Sequence, residues 1–434
     1  PIVNDVATGP TRQMDRYSDR TAAAARRFGW LFVRVDGASL GAFRIMFGLL
    51  MAGYCVRMLS GSYLDGTYAR PRMLFTYLGF GWVQPLPLPA LYGVTLVMLG
   101  AALLFAAGIA QRIAAAVFGL GWTYFFLLEK AYYINHFYLV SLLMLLFVLL
   151  PANGALTPHW AGYARTTVPA FALWALRAQF GIVYFYAGLG KIDPDWLRGE
   201  PMRMFLSPYF GSGLSRDMAA YAFSWGGLLF DLAVVPGLLW RRTRIPTVLF
   251  ATGFHLANFQ IFSIDFFPWL AIAGTLLFFE PDWPRAVWAR LGMTDRGLTA
   301  PMQRGGFSAH RFRIAVLGIY FIVQIVVPFQ RVLYPSNAQW TEEGQKFSWL
   351  LMMKHKTGSV DFTVVNQDTG RSTTVNEKHY LNDRQILMMT GDPDMLVQFA
   401  SFLAEEMESR GAEAVAVFAD TAVSLNGRPK QPIV

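Results

Sequence analysis

Long apolar stretches recur along this chain with few charges inside them, and a chain built that way has lipid rather than water as its solvent. They fall at residues 40–58, 91–110, 113–128, 137–150, 169–188, 225–239, 246–262, 266–279 and 314–330, about nine in all. Backbone groups in hydrocarbon must be satisfied within their own segment, so each stretch is expected to be a helix. A straight crossing takes roughly 20 residues. The stretches at 137–150 and 266–279 fall short of that, and are open to reading as spans, as shielded core helices or as re-entrant segments. Only 15% of residues are charged, against 54% hydrophobic, whereas soluble domains carry about 25% charge. A soluble fold of this length would still need a polar skin, which the chain lacks until near its C-terminus. The expected fold class is a polytopic α-helical membrane protein with about nine transmembrane helices and a small C-terminal α+β extramembrane domain.

Three regions follow: a polar N-terminal segment over 1–38, a helical transmembrane domain over 39–335, and a C-terminal extracytoplasmic α+β domain over 336–434. Residues 1–34 are polar and Arg-rich and lack the apolar stretch of a signal peptide. A start at Pro1 points to a trimmed initiator or tag. The net charge of +9 sits in short basic clusters between apolar stretches. That is the habit of cytoplasmic loops, so membrane lipid is an expected partner and nucleic acid is not. With the N-terminus inside, the inner connections hold Arg12, Arg16, Arg20, Arg26, Arg27, Arg34, Arg112, Arg165, Arg241, Arg242, Arg244 and the 285–313 group. The outer ones hold fewer: Arg70, Arg72, Lys130, Lys191, Arg198, Arg203 and Arg216. The asymmetry favours a cytoplasmic N-terminus, and an odd number of spans then puts the C-terminal domain outside. The single cysteine, Cys55, lies in an apolar stretch and says nothing of compartment.

After about Lys354 the pattern turns soluble. Residues 359–366 and 372–376 alternate around Asp368-Thr369-Gly370, a hairpin pattern. Residues 394–410 read as an amphipathic helix capped by Asp392 or Asp394 and stopped at Gly411. A strand over 414–420 and a turn at Asn426-Gly427 follow. The connections at 63–89 and 191–221 are long, and ordered loops of that length are usually functional.

No soluble-enzyme motif is present: no P-loop, no GxGxxG after a strand, no GxSxG, no HExxH. Six scattered histidines and one cysteine make no ligand cluster, so no metal is expected. What remains is polar side chains in or beside the apolar stretches, where they are costly and functional by default. Lys191 follows Tyr184-Phe185-Tyr186-Ala187-Gly188-Leu189-Gly190 and precedes Ile192-Asp193-Pro194-Asp195-Trp196. It is either a desolvated general base or a snorkelling lysine paired with Asp193 or Asp195. Asn135-His136 is either a group that polarises a carbonyl or an interfacial cap. His255, Asn258 and Gln260 are either ligand contacts or polar glue between helices, with His255 and Asn258 sharing a face. Residues 337–349, with Trp340 and Trp349, are either part of a site or a loop anchored by tryptophans. On the orientation above these sets converge on the outer side, which marks a candidate active site.

The same residues carry a resemblance. Residues 184–202, with Ala-Gly-Leu-Gly-Lys-Ile-Asp-Pro-Asp-Trp and then Gly199, resemble the vitamin K-dependent γ-glutamyl carboxylases and their bacterial homologues, whose membrane domain is of the HTTM type. Asn135-His136-Phe137-Tyr138-Leu139, residues 255–269 and residues 337–353 are similar to further segments of that family, in the same order. The turn Asn426-Gly427-Arg428 is like one near the end of bacterial members.

The resemblance implies an enzyme that converts protein glutamate to γ-carboxyglutamate with O2, CO2 and reduced vitamin K. The last is a naphthohydroquinone of the phylloquinol or menaquinol type, which leaves as its 2,3-epoxide. Lys191 stands where the family's catalytic lysine deprotonates the hydroquinone, and oxygenation then yields an alkoxide basic enough to take a glutamate γ-proton. His136, beside Asn135, matches the histidine near the reacting centre. Asn135, His255, Asn258, Gln260, Tyr184, Trp196, Trp340, Trp349 and Met352 are then expected to bind substrate or cofactor. Such a base survives only in a dry cavity, and the cofactor carries the hard chemistry. The implied partner is a Glu-containing peptide or protein, and the implied location a bacterial inner membrane. Three departures stand out. Animal members have two adjacent lysines where this chain has Gly190-Lys191. They have Asp-Met-Met after the Ser-Trp, where this chain has Leu350-Leu351-Met352. Their lumenal domain is much longer, so the region that docks a propeptide is expected to be missing. The alternatives are a hydroquinone epoxidase or oxygenase without peptide carboxylation, and a non-enzymatic transporter or scaffold on the same fold.

Overall fold

The computed structural model describes residues 28–152, 155–158, 167–262, 264–292, 310–334, 337–412 and 414–433. The expectations placed on residues 1–27, and on the basic residues Arg165, Arg296 and Arg304, lie outside the described residues. Each apolar stretch is helical. The strand β1 (Arg34–Asp36) leads into α1 (Ala38–Leu59), α2 (Leu88–Ala107), α3 (Gln111–Leu128) and α4 (Asn135–Leu149). β2 (Thr167–Pro169) pairs antiparallel with β1 and leads into α5 (Ala170–Gly190). There follow a short amphipathic α6 (Glu200–Phe210), α7 (Leu214–Leu239), α8 (Arg244–Phe262), α9 (Phe267–Thr275, with a 3-10 turn to Phe278), α10 (Trp283–Arg290) and α11 (Arg311–Val326, continued by 3-10 turns to Leu333).

Seven of these, α1, α2, α3, α5, α7, α8 and α11, are long and apolar enough to cross a membrane, which makes the chain an integral membrane protein. The expectation was about nine, counting two shorter stretches. The helices from the two short stretches, α4 and α9, are shorter than these seven. At 15 residues, α4 is about 22 Å long, against a hydrocarbon core of about 30 Å.

Consecutive helices α1 to α4 pack side by side, α7 packs on α5, α6 and α8, and α9 joins the two groups by packing on both α1 and α8. Small residues set the closest approach: a Cβ on Gly48 of α1 would lie 2.7 Å from Ala106 Cβ of α2, the kind of contact on which helix pairs in lipid depend. Phe43, Phe47, Phe105, Phe147 and Phe180 form a ring cluster around that seam. Arg44 is wholly buried in α1. Its guanidinium donates to the carbonyls of Ala106, Ala155 and Leu156 at 3.4, 3.1 and 2.9 Å, so the buried charge keeps its hydrogen bonds. Ala155 and Leu156 follow α4, which began at the opposite end of the bundle beside Lys191 and Trp349. Similarly, α9 starts beside that same end, and its last carbonyls, Leu277 and Phe279, accept from Arg177 of α5 at 2.8 and 3.0 Å.

The C-terminal domain holds β3 (Lys356–Asn366), β4 (Ser372–Thr374), α12 (Asp383–Met389), α13 (Pro393–Ser409) and β5 (Val415–Leu425). The sheet is antiparallel in the order β4-β3-β5, with Phe362 opposite Ala419. Val360, Phe362 and Val364 point inward at period two, and Phe362 meets Phe399 of α13 at 4.9 Å. Asp392 is the cap of α13, accepting from Met395 N, and Gly411 ends the helix at φ +98°. β3 and β5 run longer than the expected 359–366 and 414–420, β4 is shorter than 372–376, and α12, with an Asn382/Gln385 capping box, is an added element. The domain is seated on the loops after α1 and α3, which contribute Phe75 and Ala131 to its core. Arg72 pairs with Glu406 at 2.7 Å, and Lys130 with Asp392 at 3.4 Å and with Asp394. The connection at 63–89 is thus a dock for this domain.

Candidate functional site

At the end of the bundle that carries the C-terminal domain lies a cavity of about 110 Å³, roughly seven to eleven times the room a single water needs. Its walls come from the start of α4, the end of α5, Trp196 and Met202 after it, the middle of α7, the end of α8, the first turn of α9 and the segment from Trp349 to Met352. They are mostly apolar, with Leu139, Val183, Phe254 and Phe267 among them. Few polar groups interrupt them, as in ligand sites generally.

Lys191 closes α5. Its backbone N–H satisfies the Gly188 carbonyl at 3.0 Å, which turns the chain out of the helix and carries the side chain back along it. The amine does not reach water: Lys191 is 5% exposed. Nζ donates to Asp231 Oδ2 at 2.7 Å and to Ala187 O at 3.3 Å, and lies 5.0 Å from the centre of the Trp196 ring. Asp231 projects from the middle of α7. Its pairing with Lys191 replaces the expected partners, Asp193 and Asp195. Asp193 instead caps the short helix that follows, accepting from Asp195 N and Trp196 N at 3.0 and 3.3 Å. Asp195 accepts from Asn426 Nδ2 at 3.0 Å and pairs with Arg428. The Asn426-Gly427-Arg428 turn of the C-terminal domain is thereby tied to the loop just after Lys191.

His136 stands in the first turn of α4, between the rings of Phe266 and Phe267 at 4.9 and 5.5 Å. Asn135 accepts from Tyr133 OH at 3.0 Å and donates to Leu350 O at 3.2 Å. His255 Nε2 and Tyr184 OH are 2.8 Å apart. Trp349 is buried flat against Tyr138, ring centres 5.1 Å apart. His136 Nε2, His255 Nδ1 and Trp349 Nε1 are buried and have no hydrogen-bond partner among the described residues. All three residues line the cavity. Buried polar atoms without partners are rare enough to call for an occupant. A flat apolar molecule carrying oxygens at its edges would meet apolar walls, an amine and three unpaired ring nitrogens.

The cavity brings together Lys191, His136, Asn135, His255, Asn258, Tyr184, Trp196, Trp349 and Met352. It does not include Gln260 or Trp340. Gln260 is two residues beyond Asn258, which on a helix is the far side. It lies in an outer groove with Arg57 and Asp265, and its carbonyl accepts from Tyr209 OH at 2.7 Å. Trp340 lies at a charged cluster, where its carbonyl accepts from Lys356 Nζ at 2.6 Å. There Glu342 pairs with Lys356 at 2.7 Å and with Lys354. Burial pushes the Lys354 ammonium down to about 8. Burial alone would raise the Glu342 carboxyl, but Lys354, Lys356 and Lys346 bring it below the usual carboxylate range. Among the cavity groups not singled out in the sequence are Asp231, Phe223 and Gly227. For Asp231 the signal was there: it is the one acid inside the apolar stretch 225–239.

Two departures from the animal pattern touch each other. A Cβ on Gly190 would lie 2.6 Å from Leu350 Cδ2. The positions held in animal members by a lysine and an aspartate are here a glycine and a leucine in contact.

Sequence comparison places the HTTM domain at residues 32–283 and the lumenal domain of vitamin K-dependent gamma-carboxylase at residues 309–434. No solved structure matches the chain.

Proposed function

The chain belongs to the vitamin K-dependent gamma-carboxylase family through its HTTM domain and its carboxylase lumenal domain, and from that premise we propose that it is a γ-glutamyl carboxylase of a bacterial inner membrane. It would convert protein glutamate to γ-carboxyglutamate while a naphthohydroquinone of the phylloquinol or menaquinol type is oxygenated to its 2,3-epoxide.

The observation that carries this reading is the meeting, in one buried apolar cavity, of Lys191 with His136, His255 and Trp349 from four distant parts of the chain. The donor set suits the hydroquinone: apolar walls for its rings, and an amine and unpaired ring nitrogens for its oxygens. When bound, the hydroquinone with O2 supplies a base stronger than any side chain offers at neutral pH. Lys191 Nζ accepts the proton of a hydroquinone hydroxyl. His255, oriented by Tyr184, and Asn258 hold the ligand from α8. His136 Nε2 and Trp349 Nε1, which have no partner among the described residues, would hydrogen-bond its oxygens. Phe254, Phe267, Leu139 and Val183 keep water out, which preserves the base. No metal ligand cluster occurs among the described residues.

The orientation proposed is a cytoplasmic N-terminus with the cavity and the C-terminal domain on the outer side. All the loops that touch the C-terminal domain lie at the cavity end, which supports crossings by α4 and α9 as well, nine in all. The glutamate then arrives from outside, and the hydroquinone from the bilayer.

The test is purified protein in nanodiscs with reduced vitamin K, O2, labelled bicarbonate and a Glu-rich peptide. Epoxide plus acid-stable label in the peptide are expected. Epoxide without label would favour an epoxidase that does not carboxylate peptides. Neither product, with hydroquinone bound, would turn attention to transport on the same fold.

A further inference from the structure

The Lys191 amine is held in a way that bears on how it works as a base. Its two hydrogen-bond partners among the described residues are Ala187 O at 3.3 Å and Asp231 Oδ2 at 2.7 Å. Only the carboxylate can take up a proton. Lys191 and Asp231 are 5% and 6% exposed, so the pair is out of water. An ammonium has no lone pair and accepts nothing. A proton must therefore leave Nζ before Lys191 removes one from a ligand.

We propose that Asp231 is the terminal proton acceptor of this site, with Lys191 as the relay that reaches the ligand. The inference rests on the reading of Lys191 as the base for a naphthohydroquinone. In the first transfer an N–H bond at Nζ breaks and an O–H bond forms at Asp231 Oδ2, leaving an amine and a carboxylic acid. In the second, the ligand's O–H bond breaks and an N–H bond forms at Nζ. One proton has moved from the ligand oxygen to Asp231. The site carries one positive and one negative charge before and after, so no net charge is created in an apolar cavity. The ammonium ends beside the oxygen anion it has generated, where it stabilises it.

The shape of α7 supports this pairing. Ser224, Gly227 and Asp231 fall on one helix face. The Ser224 carbonyl accepts from Trp196 Nε1 at 2.7 Å and fixes the ring beside Nζ. A Cβ on Gly227 would come within 3.4 Å of Trp196 and 3.8 Å of Lys191 Cε. One face of α7 thus positions both the relay and its acceptor. The other titratable side chains facing the cavity are Tyr184 of α5, His255 of α8 and His136 of α4, and none of them is hydrogen-bonded to Nζ among the described residues.

Asp231→Asn keeps the size and hydrogen bonding of the side chain but cannot take the proton, while Asp231→Glu can. Each is mixed in nanodiscs with reduced menadione without O2, and hydroquinone ionisation and the infrared carbonyl band of a protonated carboxylic acid are recorded. In the wild type the ionised hydroquinone and the acid band should appear together. Both should be missing in Asp231→Asn and present in Asp231→Glu. With O2, kcat for epoxide should fall by about 100-fold or more in Asp231→Asn, with KM little changed and Asp231→Glu recovering most of the loss. Ionised hydroquinone without an acid band in the wild type would overturn the relay. So would turnover by Asp231→Asn within about threefold of wild type. Bound hydroquinone that never ionises in the wild type would overturn the reading of Lys191 as its base, and the relay with it.

Discussion

Ionisation of Glu129 should loosen the hold of the C-terminal domain on the membrane domain. Glu129 lies between α3 and the 3-10 turn Lys130–Tyr132 and is 1% exposed. Its carboxyl accepts from Phe75 N at 3.2 Å, from Ala131 N at 2.8 Å and from Gln385 Nε2 of α12 at 2.6 Å. Burial pushes that carboxyl from 4.5 up to about 7, against the three bonds and Lys130, which pull it down. Between those values the folded protein keeps a proton that the unfolded chain has lost. The stability this contributes is fully present below pH 4.5 and is lost as pH rises through about 7. At 1.36 kcal/mol for each tenfold change in proton affinity, the difference between 4.5 and about 7 amounts to about 3 kcal/mol. Glu129→Gln carries no charge at any pH. Denaturant unfolding of the C-terminal domain, followed in nanodiscs at pH 5 and pH 8, should find the two proteins close at the acid end. At the alkaline end the variant should be the more stable by up to about 3 kcal/mol. Comparing the two proteins cancels groups they share, such as Asp392 and Lys354. If the wild type instead gains on the variant as pH rises, the hydrogen bonds and Lys130 outweigh burial, and the burial-dominated reasoning is refuted.

Gly190→Val should cost about 1–3 kcal/mol by overpacking, because its Cβ would lie 2.6 Å from Leu350 Cδ2. Adding Leu350→Ala should recover much of that loss in a melting experiment. Asn426→Ala removes the 3.0 Å bond to buried Asp195 and the 2.9 Å bond from His355 N. Leaving such groups unpaired costs about 1–3 kcal/mol each, and limited proteolysis should find the C-terminal domain cut faster.

The membrane domain was legible because lipid imposes a simple demand. Every backbone group in hydrocarbon must be paired within a helix, so each apolar stretch had one available structure. The number of long spans was less legible, since α4 and α9 are short and shielded by neighbours, and length alone does not say which way they run. The site was legible where a polar residue interrupted an apolar pattern, as at Lys191, Asn135-His136 and His255-Asn258. Asp231 interrupts one too, but it is forty positions from Lys191, and the nearer acids Asp193 and Asp195 looked like better partners. Helix geometry decides otherwise: those two acids fall after the turn that follows Lys191, while its side chain runs back along α5 towards α7. Gln260 and Trp340 lie outside the cavity for the same kind of reason. Each sits close in sequence to a cavity residue, and each points to another surface. α12 escaped notice because its sequence, Asp-Arg-Gln-Ile-Leu-Met-Met, is too short to show a period.

The most direct measurement is the rate at which purified protein in nanodiscs converts reduced menadione to its epoxide under O2, for wild type and for Lys191→Ala. The cavity account predicts epoxide from the wild type and a loss of about 100-fold or more in the variant, with hydroquinone binding and melting temperature retained. Equal rates in the two proteins would contradict it.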